Sequence, residues 1–157
     1  FQGGAFLGPY TTAPPKYQFA FRDRMDERYD MTRAVRDERY LYIRNYNPHK
    51  IYGQHVEYMF KTPTTVVWNA LFKMGRLNDV QSHFWRTKPA EELYDLIADQ
   101  DEIYNIANST RGRPIAKRMR NVLVSWQRKI RDTGFLPEGE IHQNWRWIYL
   151  RNCPGIR

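Results

Sequence analysis

Residues 114–131 carry one apolar stripe. Ile115, Met119, Val122, Leu123, Trp126 and Ile130 recur at spacings of three and four, the repeat of an α-helix with a single buried face. Lys117, Arg118, Arg120, Arg128 and Lys129 lie off that stripe or on its borders. Arg128 and Lys129 fall near the C-terminal end, where the helix dipole favours cations. Gly134 is placed to stop the helix. A long helix with one apolar face must lay that face on another layer. Its natural partner is a sheet, and the rest of the chain supplies strands.

Tyr17, Phe19 and Phe21 alternate with Gln18, Ala20 and Arg22, the period of a strand. Met31–Arg36 and Arg39–Asn45 flank Asp37-Glu38 as a hairpin, with Tyr40, Tyr42 and Asn45 opposed to Leu41 and Ile43. Asp-Glu is a poorer two-residue turn than Asp-Gly. Thr62 caps a helix with Pro63 at its first position, Val67, Leu71 and Met74 on one face, and Gly75 at its end. Asn78 caps a shorter helix carrying Val80 and Phe84. Glu91–Ala107 reads as a short strand (Glu92–Leu96), an acidic turn and a helical turn closed by an asparagine.

The expected class is α+β: a small antiparallel sheet of about four strands, covered by the long C-terminal helix, with short helices in the connections. Residues 1–16, rich in Gly, Pro and Thr, read as a linker or an extended entry segment. Residues 17–137 form one subdomain. Residues 138–157, with Trp145, Trp147, Ile148, Tyr149 and Leu150, are an atypical tail from which no function is drawn.

At 157 residues, with 41% hydrophobic and 15% aromatic residues, the chain is one globular domain or a piece of one. No apolar run is long enough to span a bilayer. One cysteine excludes an internal disulfide framework. Phe1-Gln2-Gly3-Gly4 has neither an initiator methionine nor a basic-then-apolar pattern, so it says nothing of export. The net charge of +8 invites a polyanion-binding reading. Arginines alternate with acids from 22 to 44, however, and only 111–131 is strongly basic. No zinc-finger, aromatic RNA-binding or helix-turn-helix signature is present, which disfavours nucleic acid.

Two strings resemble the C-terminal part of sulfatases, the alkaline-phosphatase-like enzymes that cleave sulfate esters and sulfamates. One is Glu92-Leu93-Tyr94-Asp95-Leu96 continuing through Asp99, Asp101-Glu102, Asn105 and Ala107. The other is Arg22-Asp23-Arg24-Met25-Asp26-Glu27-Arg28-Tyr29-Asp30, continuing through Arg33-Ala34-Val35-Arg36 to Arg39–Asn45. The resemblance covers roughly 4–137. It implies a C-terminal subdomain of a small antiparallel sheet and a long helix, and it implies a partner, the catalytic core of the same enzyme. A sulfated, acidic glycan would be the substrate, and the compartment periplasmic, extracellular or lysosomal. The complete enzyme would use calcium and a formylglycine made from cysteine in C-x-[P/S]-x-R.

No cofactor is expected in this chain itself. Its one cysteine lies in Cys153-Pro154-Gly155-Ile156-Arg157, with glycine where Pro or Ser must stand. Asp23, Asp26, Glu27 and Asp30 lack the glycine of a calcium loop and are interrupted by arginines, so solvated or arginine-paired acids are expected. His49, His55, His83 and His142 show no zinc spacing. Tyr40, Tyr42, Tyr46, Tyr52, Tyr58 and Phe60 could stack on sugars, although aromatics alternating in strands more often pack. The substrate-binding candidates are Arg33, Arg36 and Arg24, whose planar forks suit sulfate or carboxylate, and His55 in its loop beside Gly53. For Arg33, pairing with a neighbouring aspartate weighs equally with contact to substrate, and for Arg36 and Arg24 such ion pairing is the favoured reading. The resemblance implies a chain inactive alone. The alternative is a free-standing basic module for nucleic acid or another polyanion.

Overall fold

The structure, a computed structural model, describes residues 4–144. Strands β1 (Gln18–Arg22), β2 (Thr32–Arg36), β3 (Tyr40–Asn45) and β4 (Glu91–Asp95) form one antiparallel sheet in the order β1-β2-β3-β4. The β3–β4 connection carries α1 (Glu57–Phe60), α2 (Pro63–Lys73), α3 (Asp79–Ser82) and a 3-10 turn at His83–Trp85. The long helix α4 (Gly112–Ile130) follows the sheet. The α+β class is as expected, a four-stranded antiparallel sheet with one long helix across it.

Register sets the core. Phe19 stands opposite Val35, Val35 opposite Tyr42, and Tyr42 opposite Leu93, a row across one sheet face. Helix α4 lays Ala116, Met119 and Leu123 on that row, and Ala107 joins them. Full burial of Leu or Met contributes about 1.5–3 kcal/mol per side chain. The innermost helical row is Gly112, Ala116, Met119, Leu123 and Gln127, one step round from the centre of the expected stripe. Small side chains at 112 and 116 let the helix approach the sheet, so Ile115, Val122 and Trp126 pack at the margins. Trp126 is half-buried and lies flat on Phe19, ring centroids 4.6 Å apart at 3°.

Gly134 does not end the helix. Arg131, left-handed at φ 54°, closes it by donating its amide to the Arg128 carbonyl, and the Asp132 amide reaches Gln127. Gly134 lies beyond, in a 3-10 turn. A Cβ there would stand 2.0 Å from Arg33 Nη2, so glycine is needed for close approach. In the β2–β3 turn neither Glu38 nor Arg39 takes a positive φ, unlike the mirror-image turns. The Asp37 carboxylate replaces that geometry by accepting the Arg39 and Tyr40 amides at 3.0 and 2.7 Å.

Three further expectations are corrected. Asn45 shares its face with Leu41 and Ile43, as strand alternation requires, and reaches Glu92 rather than the helix side. Helix α2 turns Trp68 and Phe72 inward and leaves Val67 and Met74 exposed. The indole and phenyl rings outcompete the smaller side chains because they meet Trp85 and bury more area. The segment after the acidic turn makes no helical turn. Asp99 caps the Ile103 and Tyr104 amides, and the chain then runs back beside β4. There Ile106 N–H donates to the Leu93 carbonyl, and Asn105 both accepts from the Leu93 amide and donates to the Glu91 carbonyl. The Trp145–Leu150 run and Cys153 lie outside the described residues.

Candidate functional site

Arg33 sits on β2 with its side chain 2% exposed, on the sheet face that carries α4. Its Nε and Nη2 donate to Asp132 at 2.7 and 2.9 Å. Nη1 donates to Asp23 at 2.9 Å and to the Arg22 and Thr32 carbonyls. All three guanidinium nitrogens are therefore engaged within the fold. Burial alone would lower the pKa of Arg33, but Asp132 and Asp23 outweigh it and hold it above the ordinary arginine value. Burial would likewise raise Asp132, yet Arg33 and the Gly134 amide hold it below the usual carboxylate range.

Arg36 lies three residues along the same strand, so it falls on the opposite face. It is exposed and meets no carboxylate among the described residues. Arg24 is exposed and forks onto Glu138, Nε to Oε1 at 2.9 Å. The imidazole of His55 stacks on Phe60 with centroids 4.3 Å apart, and its carbonyl accepts from Arg28 Nε. The four candidates do not converge on one point.

Other groups do converge. Glu91, at the start of β4, accepts from Tyr42 Oη at 2.8 Å, Arg44 Nη1 at 2.8 Å and Arg120 Nε at 2.6 Å. Hydrogen bonding from Arg120 is the main force holding Glu91 below the ordinary carboxylate range. Burial, reinforced by Glu91, pushes the Tyr42 hydroxyl up to about 12. Arg120 therefore belongs to a buttress between helix and sheet rather than to a plain polar face.

Lys88 and Asp30 form a buried pair, each side chain 2% exposed, with Asp30 also accepting the Met31 amide at 2.9 Å. Glu92, buried on the other sheet face, accepts from Asn45 and from Tyr94 Oη. Sequence reasoning missed both, because each joins residues more than forty positions apart with no local pattern.

A cleft of about 650 Å³ opens on that face, lined by Tyr52, Tyr94, Tyr104 and His83 and by Asp79, Glu92, Asp101 and Glu102. The buried Tyr52 hydroxyl has no hydrogen-bond partner there among the described residues. Its carboxylates make this cleft a poor host for sulfate. Of the aromatics weighed for sugar stacking, Tyr42 is in the core and Tyr46 packs edge-on against Phe135, while Tyr58 is exposed.

The acids at 23–30 disperse to separate partners: Asp23 to Arg33, Glu27 to the Glu57 amide, and Asp30 to Lys88. Among the described residues no three His, Cys, Asp or Glu side chains are arranged to hold a metal ion. No helix of the described residues is long and apolar enough to cross a membrane.

No family model matches the chain. Over 141 residues, 89% of its length, the chain is 39% identical to a protein described as an ulvan-active sulfatase from Formosa agariphila. Those residues amount to 24% of that relative. Over most of its length the chain is thus similar to part of a sulfatase, and it spans about a quarter of the length of the curated relative it matches.

Proposed function

We propose that this chain serves as the C-terminal part of a sulfatase-family hydrolase whose complete form cleaves sulfate from a sulfated glycan. The 39% identity over 89% of the chain carries the reading. The subdomain contributes packing and part of the pocket wall, and alone it is inactive. The one cysteine does not stand in C-x-[P/S]-x-R, so formylglycine and calcium belong to the rest of the enzyme. Of the carboxylates at 23–30, Asp23, Glu27 and Asp30 are committed to Arg33, a backbone amide and Lys88, so they do not converge on a calcium site.

Within this reading the four candidates take different parts. Arg33 is a positioning residue: its guanidinium ties the end of α4 to β2. Arg36 and His55 are exposed and are the ones able to present donors to substrate. Arg24, forked onto Glu138, would have to exchange that carboxylate for a substrate anion.

The test is an aryl sulfate assay with calcium, on the 157-residue chain and on the chain joined to a formylglycine-bearing sulfatase core. Turnover is expected only in the joined form, and Arg36→Ala there should lower the specificity constant for a sulfated glycan about tenfold or more. Turnover by the chain alone, or an unchanged joined enzyme after deletion of residues 17–137, would overturn the reading.

A further inference from the structure

Helix α4 contains no acidic residue in its 19 positions. Of its cations, Arg118 is paired with Asp37 and Arg120 with Glu91. The remaining four, Arg113, Lys117, Arg128 and Lys129, are exposed, and none meets a carboxylate among the described residues. At 3.6 residues per turn, Arg113, Lys117 and Arg128 fall within roughly 60° around the axis, with Asn121 and Ser125 continuing the same band. That band is turned roughly 130° around the axis from the buried row of Met119 and Leu123. From Arg113 to Arg128 the axial distance is about 22 Å at a rise of ~1.5 Å per residue.

The arrangement runs against what stability alone would select. Arg113 lies in the first turn, which holds no acid, and there the helix dipole opposes a cation. Arg113 and Lys117 are four apart, where like charges repel and a glutamate would be favourable. An external polyanion relieves both penalties. Its charges would have to be spread along a line, because no single sulfate can span the band.

We propose that the exposed face of α4 binds a sulfated polysaccharide chain lengthwise. This rests on the glycan substrate class proposed above. A single-stranded nucleic acid fits less well, because that recognition interleaves cations with aromatic platforms. The band carries asparagine and serine, and Trp126 is turned inward onto Phe19.

The test uses the 157-residue chain with dextran sulfate, uncharged dextran and single-stranded DNA at one ionic strength. Changing Arg113, Lys117, Arg128 and Lys129 to Gln should weaken dextran sulfate binding about tenfold or more, with steeper loss at low salt. A second variant, Lys16, Lys61, Lys73 and Arg76 to Gln, removes the same net charge elsewhere and should lose less than about threefold. The half-variants Arg113→Gln/Lys117→Gln and Arg128→Gln/Lys129→Gln should each give part of the loss and guard against misfolding of the fourfold change.

Equal losses in the two fourfold variants would overturn the proposal, as would no binding of dextran sulfate or tighter binding of the DNA. Such a result leaves the aryl sulfate test of the joined enzyme untouched, since that reaction involves no polymer. Failure of the joined enzyme with polymer binding intact would instead remove the sulfatase reading alone.

Discussion

Arg33 and Asp132 meet side-on, Nε to Oδ2 at 2.7 Å and Nη2 to Oδ1 at 2.9 Å, although they lie 99 residues apart in sequence. The pair fastens the turn after α4 to the second strand, and Asp23 closes the other side of the guanidinium. Gly134 leaves room for that fork. One arginine thus joins the start of the sheet to the end of the helix that covers it.

Removing the arginine should cost far more than removing a surface charge. Arg33→Ala leaves Asp132, 8% exposed, without its countercharge, and breaking one side of a buried pair costs about 3–5 kcal/mol. Arg33→Lys keeps the charge but loses the fork, and should fall between Ala and the parent. Urea unfolding of the three proteins checks the order. If Arg33→Ala unfolds at the parent's midpoint, the fork is not engaged in solution.

Lys88 and Asp30 make a different prediction. Either single change, Lys88→Met or Asp30→Leu, strands one buried charge and should destabilise by about 3–5 kcal/mol. The double change strands neither, and apolar replacements of such pairs are often neutral or stabilising by about 1–4 kcal/mol. The double variant should therefore be more stable than either single one. Additive losses in the cycle would show that the two groups do not interact.

The acid limb of stability follows from depressed carboxylates, Glu91, Asp132 and Asp37 among them. Arg120 holds Glu91 down, while Asp132 and Asp37 are held down by their donors against a burial effect that would raise them. A carboxyl with a lower pKa folded than unfolded adds stability above its unfolded value, about 3.9–4.3, and loses it as pH falls below. The melting temperature should be flat near neutrality and drop below roughly pH 4.5. Asp132→Asn should flatten that drop. The sign reverses for Tyr42, raised to about 12: its contribution is complete below the unfolded value of about 10 and fades as pH rises above it. An acid limb unchanged in Asp132→Asn would discard this account.

What was legible in the sequence is what periodicity encodes. The four strands, α4, the Asn78 cap and proline at the start of α2 all follow from local patterns. What was illegible depends on partners distant in the chain. The inward face of α2 could not be read from Val67 and Met74, because Trp68 and Phe72 are drawn to Trp85. The return along β4 depends on Asn105 binding both strand amide and carbonyl. Arg33 and Arg36 stand three apart on one strand, which places them on opposite faces, one locked by acids and the other exposed. Which of the two faces the helix covers, and that Asp132 and Asp23 meet Arg33 there, appears only once the register and the tertiary contacts are known.

The last prediction tests which face of α4 packs. Met119 and Leu123 are 0% and 1% exposed, so truncation to Ala should cost about 2–5 kcal/mol each. Trp126 is only half-buried, and its stack on Phe19 adds about 0.5–1.5 kcal/mol beyond area. Trp126→Ala should therefore fall below Leu123→Ala despite the larger side chain removed. Arg120→Ala should not be silent, because it withdraws the forked partner of Glu91 and leaves Arg44 and Tyr42 to hold it. A loss of about 1–3 kcal/mol is expected, the range for a hydrogen bond to a charged group. Lys117→Ala, on the exposed band, should change stability by less than about 0.5 kcal/mol. Thermal and urea unfolding of these five variants fix the helix's rotation on the sheet. If Trp126→Ala is the most damaging and Arg120→Ala is neutral, the helix is turned one step from the arrangement described, and Glu91 is not its anchor.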